Sequence, residues 1–183
     1  MTLNPPLGVP CLIVLVGPPG SGKTSWARLQ GRGAVHISQD DLIDAITPDG
    51  FNHVYRRIYR EAEDAVARAA LAAGHTVIVD RTNRTRAHRQ RWLRIASETA
   101  CPSIAVVMTA SEALCRKRNA ERGGARRVSD ERMERMFAAL EPVLPDEGFL
   151  FIHAGESINL DEILFGNLEK KESLSHEHCH QTR

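Results

Sequence analysis

Apolar residues in this chain fall into short unbroken runs, separated by longer segments in which they recur every three or four positions. The unbroken runs are residues 12–16, 76–79, 104–108 and 149–152, with a weaker one at 34–37. Runs of this length without alternation predict strands buried on both faces, the habit of a parallel sheet. Residues 53–73 place Val54, Ile58, Ala62, Ala65, Val66 and Ala69 at helical spacing on one stripe, and Gly74 suits the stop. Residues 85–98 predict a basic helix with Trp92, Ile95 and Ala96 on its apolar side. Two further helices, over 111–121 and 129–140, follow Ser111 and Ser129, residues suited to the N-cap. Asp130 and Glu131 in the first turn favour the second of them, and Met133, Met136, Phe137 and Leu140 form its core-facing stripe. Strands alternating with helices predict right-handed crossovers and an α/β three-layer sandwich, with a parallel sheet of about five strands.

One junction in this pattern carries chemistry. Residues 17–24 read Gly-Pro-Pro-Gly-Ser-Gly-Lys-Thr, directly after the first strand run and before a helix-like segment. This is a complete phosphate loop in its proper context. Gly17, Gly20 and Gly22 free the backbone to turn successive N–H groups inward on a polyphosphate. Ser21 and Ser25 flank Lys23 and Thr24, and the helix that opens here adds its positive end. Lys23 reaches the β- and γ-phosphates of a bound triphosphate, and the Thr24 hydroxyl is placed for Mg²⁺. The motif predicts a nucleoside triphosphate site without saying what the triphosphate is used for.

Ligands of such sheets sit at the carboxyl ends of the strands. That rule gathers Asp40 and Asp41 after the second strand and Asp80 after the third beside the phosphate loop. A carboxylate at position 40 suits a general base on an attacking hydroxyl, and it suits helix capping as well. We assign the chemistry to Asp40 and the structural role to Asp41. Asp80 stands where a carboxylate would meet Mg²⁺, directly or through water. Asn83, three residues on, suits that site or a hydrogen-bond network holding the loop. Arg118 and Arg122 are four apart, so they share a helix face, and Gly123-Gly124 follows as a hinge. Arginine forks there would clamp phosphate oxygens as charge spreads in a transition state, while an exposed helix end would also favour them.

Composition narrows the setting. The 183 residues suit one domain, over 1–168, followed by a polar His-rich tail at 169–183. No apolar run approaches the roughly 20 residues of a membrane span, and no basic segment opens a signal peptide. Cys11, Cys101, Cys115 and Cys179 lack the pairing of a zinc or redox motif, which suits reduced thiols in the cytoplasm. His176, His178, Cys179 and His180 match no closed metal site. The net charge of +1 conceals six arginines and no acid within 81–94, and six Lys/Arg against one Glu within 116–127. The first run suits a solvated face or the attraction of a nucleic-acid backbone. No aromatic-rich stacking surface stands out.

Four blocks together resemble the polynucleotide kinase-like branch of the P-loop phosphotransferases: residues 17–26, Ser38-Gln39-Asp40-Asp41, Val79-Asp80-Arg81-Thr82-Asn83 and Arg118-Asn119-Ala120-Glu121-Arg122. The resemblance spans residues 11–153 and implies a P-loop kinase-type sandwich with a helical lid. It implies that Lys23 and Thr24 hold ATP phosphates and Mg²⁺. Asp40 would be the general base, and Arg118 and Arg122 the lid arginines. The implied reaction is transfer of the γ-phosphate to the 5′-hydroxyl of an RNA or DNA end. One position departs from the pattern: Ile43 stands where such kinases often carry an arginine for the acceptor phosphate. The contact would then come from Arg56, Arg57 or the arginines of 81–94, or the acceptor is a smaller alcohol such as a nucleoside, sugar, nucleotide sugar or antibiotic. A nucleotide-binding module without an acceptor is the remaining alternative, against which Asp40 argues.

Overall fold

The computed structural model describes residues 9–31 and 33–155. The predicted tail and its histidines lie outside the described residues. Within them, strands β1 (Leu12–Val16), β2 (Val35–Ser38), β3 (Val77–Asp80), β4 (Ser103–Val107) and β5 (Phe151–Ala154) form one parallel sheet in the order β2-β3-β1-β4-β5. Between them run α1 (Lys23–Gln30), α2 (Gln39–Ile46), α3 (Arg56–Ala72), α4 (Arg86–Glu98), α5 (Glu112–Ala120) and α6 (Asp130–Ala138).

The unbroken apolar runs are explained by the two covered faces. Leu12, Val14 and Val16 of β1 pack with Ala67 and Leu71 of α3 and Trp92 and Ile95 of α4. The alternate residues Ile13 and Leu15 pack on the other face with Trp26 and Ala27 of α1. Full burial of each such side chain contributes about 1.5–3 kcal/mol, so the central strands anchor the domain. The result is the expected three-layer P-loop kinase fold, and Ser111 and Ser129 cap α5 and α6 as predicted. No helix among the described residues is long and apolar enough to cross a membrane.

Besides the expected stripe of α6, of which Met133 is buried but Leu140 is exposed, three expectations need correction. The last apolar run predicts a strand at 149–152, but β5 begins at Phe151. Phe149 instead joins the core that holds Trp92. β5 is the sheet edge, so its burial alternates and Ile152 is exposed.

The predicted face of the 53–73 helix is also wrong. Residues His53–Tyr55 form a 3₁₀ turn before α3, and Val54, Ile58 and Val66 are exposed. The buried face is Tyr59, Glu63, Ala67 and Leu71. Polar partners set this rotation. Glu63 accepts from Arg81 Nη1 at 2.5 Å and from Arg91 Nη1 at 2.9 Å. The Tyr59 hydroxyl meets Thr47 Oγ1 at 2.6 Å and accepts the Asn52 N–H.

The arginines of 81–94 are, third, mostly neither solvated nor unpaired. Arg89 is fully buried against Glu147 with both forks engaged, at 2.7 and 2.6 Å. Arg91 meets Asp64 and Glu63, Arg81 meets Glu63, and Arg86 meets Asp146. An arginine-rich helix that packs on acids of distant segments looks in sequence like a nucleic-acid surface.

Candidate active site

The phosphate loop closes tightly between β1 and α1. Gly20 has φ +80°, and a Cβ there would lie 2.3 Å from the Cys115 carbonyl oxygen, so only glycine fits. Gly22 caps α1 without a side-chain hydrogen bond, which leaves the first N–H groups of the helix open to an anion. Lys23 is buried and donates to the carbonyls of Gly17 at 2.9 Å and Pro18 at 2.8 Å, and to Ser21 Oγ at 3.3 Å. Burial pushes its pKa down to about 8, with Arg122 adding to the fall while Asp80, Cys115 and Asp40 oppose it. A phosphate entering the loop would replace the carbonyls as acceptor and restore the full charge.

The acids gather at the carboxyl edge as the topology rule requires. Ser38 pairs in register with Asp80, so the start of α2 and the end of β3 stand side by side. Ser38, not Asp40, caps α2, its Oγ accepting the Asp41 N–H at 3.3 Å. Capping is thus removed as an explanation for Asp40, which has no side-chain hydrogen bond or ion pair among the described residues. Asp41 faces Arg126 at 3.2 Å and Arg28 at 3.7 Å.

Asp80 is buried, and its Oδ2 lies 3.3 Å from His36 Nε2. Burial alone would raise its pKa. His36, the Thr24 hydroxyl and the charge of Lys23 outweigh that and hold it below the ordinary carboxylate value. An ionised carboxylate beside a hydroxyl is a donor set of hard oxygens, which fits Mg²⁺ with water completing the shell. Asn83 has a structural part: at φ +43° it donates to the Leu15 carbonyl at 2.8 Å and accepts from Trp92 Nε1 at 3.0 Å.

Two cavities adjoin beside the end of α5 and the residues that follow it. One, of about 370 Å³, is lined by Gly20, Gly22, Ser25, Trp26, Arg118 and Arg122 among others. The second, of about 250 Å³, is lined by Thr24, Arg28, Ser38, Asp40, Asp41, Arg122, Gly123 and Arg126. Arg122 borders both. Arg118 reaches the Gly20 carbonyl at 3.4 Å. The structure therefore brings Gly20, Gly22, Lys23, Thr24, Asp40, Asp80, Arg118 and Arg122 to one edge, with Gly17 and Ser21 holding Lys23 and Ser25 at the rim.

Three residues of this edge escape the sequence reading. His36 had a signal, as the polar member of a strand run. Arg28 lies one turn after Thr24 on the same helix face. Arg126 lies in the basic run 116–127, but its partners Asp41 and Asp44 are too distant in sequence to suggest the contact.

The model of one family, described as AAA domain, matches residues 12–143. An L-seryl-tRNA(Sec) kinase of Methanococcus maripaludis is 26% identical over 174 residues, covering 88% of this chain and 66% of that protein. A bifunctional polynucleotide phosphatase/kinase of Schizosaccharomyces pombe is 30% identical over 110 residues, covering 59% of this chain and 23% of that protein. The chain thus spans less than two thirds of either relative. Among solved structures, a protein of Chloroflexus aurantiacus provisionally named a kinase superposes with a TM-score of 0.65 at 19% identity, covering 93% of this chain and 99% of that one.

Proposed function

The chain belongs to this AAA-domain family, and from that premise we propose that it is an ATP-dependent kinase. Its reaction is transfer of the γ-phosphate to the 5′-hydroxyl end of an RNA or DNA strand. The observation that carries the reading is Arg122 as the shared wall of two cavities. One cavity adjoins the phosphate loop, and the other holds Asp40, a carboxylate with no partner of its own among the described residues. One relative is named for a polynucleotide and the other for an aminoacyl-tRNA, which supports an acceptor that is a nucleic acid or is carried on one.

In this reading ATP lies along the loop, and Lys23 exchanges the Gly17 and Pro18 carbonyls for phosphate oxygens. Asp40 takes the proton of the acceptor hydroxyl. The freed oxygen bonds to the γ-phosphorus as the bridge to the β-phosphate breaks, and ADP departs. Arg118 and Arg122 neutralise the equatorial oxygens. Thr24 and Asp80 would hold Mg²⁺, which when bound shields the phosphate charge. His36 orients Asp80. The cytoplasm suits this activity, as do the free thiols Cys11, Cys101 and Cys115.

A second reading has one observation in its favour. Ile43 is buried and supplies no acceptor contact, and a cavity of about 250 Å³ admits a small alcohol. Labelled ATP with a 5′-hydroxyl oligonucleotide, run beside nucleosides and sugars, separates the two. Label on the oligonucleotide 5′ end is the expected result, and label on a small alcohol alone would overturn the polynucleotide assignment. Arg122→Ala is expected to lower kcat by roughly 10²–10³-fold in the same assay, the scale for losing one preorganised transition-state donor. An unchanged kcat would return Arg122 to the surface.

A further inference from the structure

The end of α3 that precedes its buried stretch projects over the site. α3 has 17 residues and spans about 26 Å, whereas β3 has four and spans about 13 Å. The crossover makes α3 run opposite to β3. Ala67 and Leu71 cover the sheet, and Glu63 already meets Arg81, the first residue beyond β3. The helix continues from Glu63 to Arg56, and the 3₁₀ turn continues further. About two turns of helix therefore overhang the carboxyl edge that carries Asp40 and Asp80.

This overhang has an unusual surface. Phe51 is 46% exposed and Tyr55 39%, in a chain with few aromatic residues. Phe51 is braced edge-on against His53 and packs near Tyr59, at ring separations of 4.9 and 5.6 Å. Residues 50–60 hold three arginines and a histidine with no acid. Arg57 is engaged by Glu61, but the Arg60 guanidinium has no carboxylate partner among the described residues. In the loop between β3 and α4, Arg84 Nε is buried without a hydrogen-bond partner. Burial, then the charges of Arg84, Arg81 and Arg60, depress the pKa of His88, while Glu141 opposes them. Glu63 and Asp64 balance Arg81 and Arg91, so the surplus positive charge of this end comes from Arg60 and Arg84.

Exposed rings beside uncompensated guanidinium groups match the chemistry of a single strand, with a π-face on each base and a charge on each phosphate. We propose that the overhanging end of α3 is the track for the acceptor strand. Phe51 and Tyr55 stack its bases, and Arg60 and Arg84 hold its backbone. The proposal rests on the polynucleotide reading above and assigns the acceptor contacts that Ile43 cannot make. It replaces the arginines of 81–94 as a group with one of them, Arg84, and it supplies the stacking surface that composition hid.

Fluorescence anisotropy with the full chain and a labelled single-stranded 5′-hydroxyl decamer tests the track apart from catalysis. The double variant Phe51→Ala/Tyr55→Ala is expected to raise Kd for the decamer by roughly tenfold or more, the scale of one lost base stack. Arg60→Ala is expected to raise Kd and flatten the dependence of log Kd on log salt by close to one ion. ATP-analogue binding confirms that each variant is folded. In transfer assays, the ratio of KM for the decamer to KM for a dinucleotide rises in the double variant. Unchanged decamer Kd in both variants would overturn the track while leaving the kinase reading in place. Decamer binding that is lost in the variants, from a wild-type protein that transfers nothing to any oligonucleotide, would support the track and sink the kinase reading. A wild-type dimer that the double variant converts to monomer, with decamer Kd unchanged, would show that the surface takes a second copy instead.

Discussion

Asp40→Ala is expected to lower kcat for oligonucleotide phosphorylation by roughly 10²–10⁴-fold, the usual contribution of a positioned general base. The affinity for an ATP analogue is expected to hold or to tighten. Asp40 is a negative charge in the field of Lys23, so its removal takes a competitor away from the triphosphate. Lys23→Ala would move both quantities the wrong way, and the sign of the affinity change therefore separates the two roles. Asp41→Ala is the internal control. Its carboxylate faces Arg126 and Arg28, so its loss loosens the segment after α5 from α1 and α2 rather than removing a base. Rapid-quench measurement of the chemical step, together with calorimetric binding of the analogue, checks both. Near-normal chemistry in Asp40→Ala, with a collapse in Asp41→Ala, would transfer the base to Asp41.

The legible part of this protein is what lies close together in the chain. The phosphate loop needs eight consecutive residues, and its strand and helix adjoin it, so sequence shows both the motif and its context. Asp40 and Asp80 fall together because a parallel sheet sends the ends of its strands to one edge, and Arg122 was read from its spacing to Arg118 and the Gly-Gly that follows. What stayed hidden depends on distant partners. The face that α3 buries is chosen by Glu63, whose cations lie 18 and 28 residues away. Alanines and valines at helical spacing offered a more apolar face, and hydrophobic patterning followed it. The charge run 81–94 misled for the same reason, since Arg89 finds its acid 58 residues further on.

Arg89→Ala is expected to destabilise the domain by about 3–5 kcal/mol, the scale of a buried ion pair broken from one side. The reason is how completely Arg89 is used. Nε and Nη2 grip Glu147, Nη1 donates to the carbonyls of Asn83 and Glu141, and Nη2 also donates to Pro142. One side chain thus joins α4, the loop after β3 and the segment leading to β5. Its loss strands Glu147, whose side chain is 0% exposed, without a cation. Domains of this kind have roughly 5–15 kcal/mol in total, so urea midpoints would fall steeply. Acid weakens the same contact. Burial alone would raise the Glu147 pKa, but Arg89 and the Leu144 N–H hold it below its ordinary 4.5. The stability it adds is present above that value and is lost as pH falls through the folded pKa, so wild type and variant converge in acid. The double variant Arg89→Met/Glu147→Leu removes both charges, and with them the desolvation penalty. It is expected to recover part of the loss. A double variant no more stable than Arg89→Ala would show that the three carbonyl contacts, rather than the ion pair, hold the knot. The loop would feel the change as well, because Asn83 ties this knot to the Leu15 carbonyl and Thr82 accepts the Gly17 N–H.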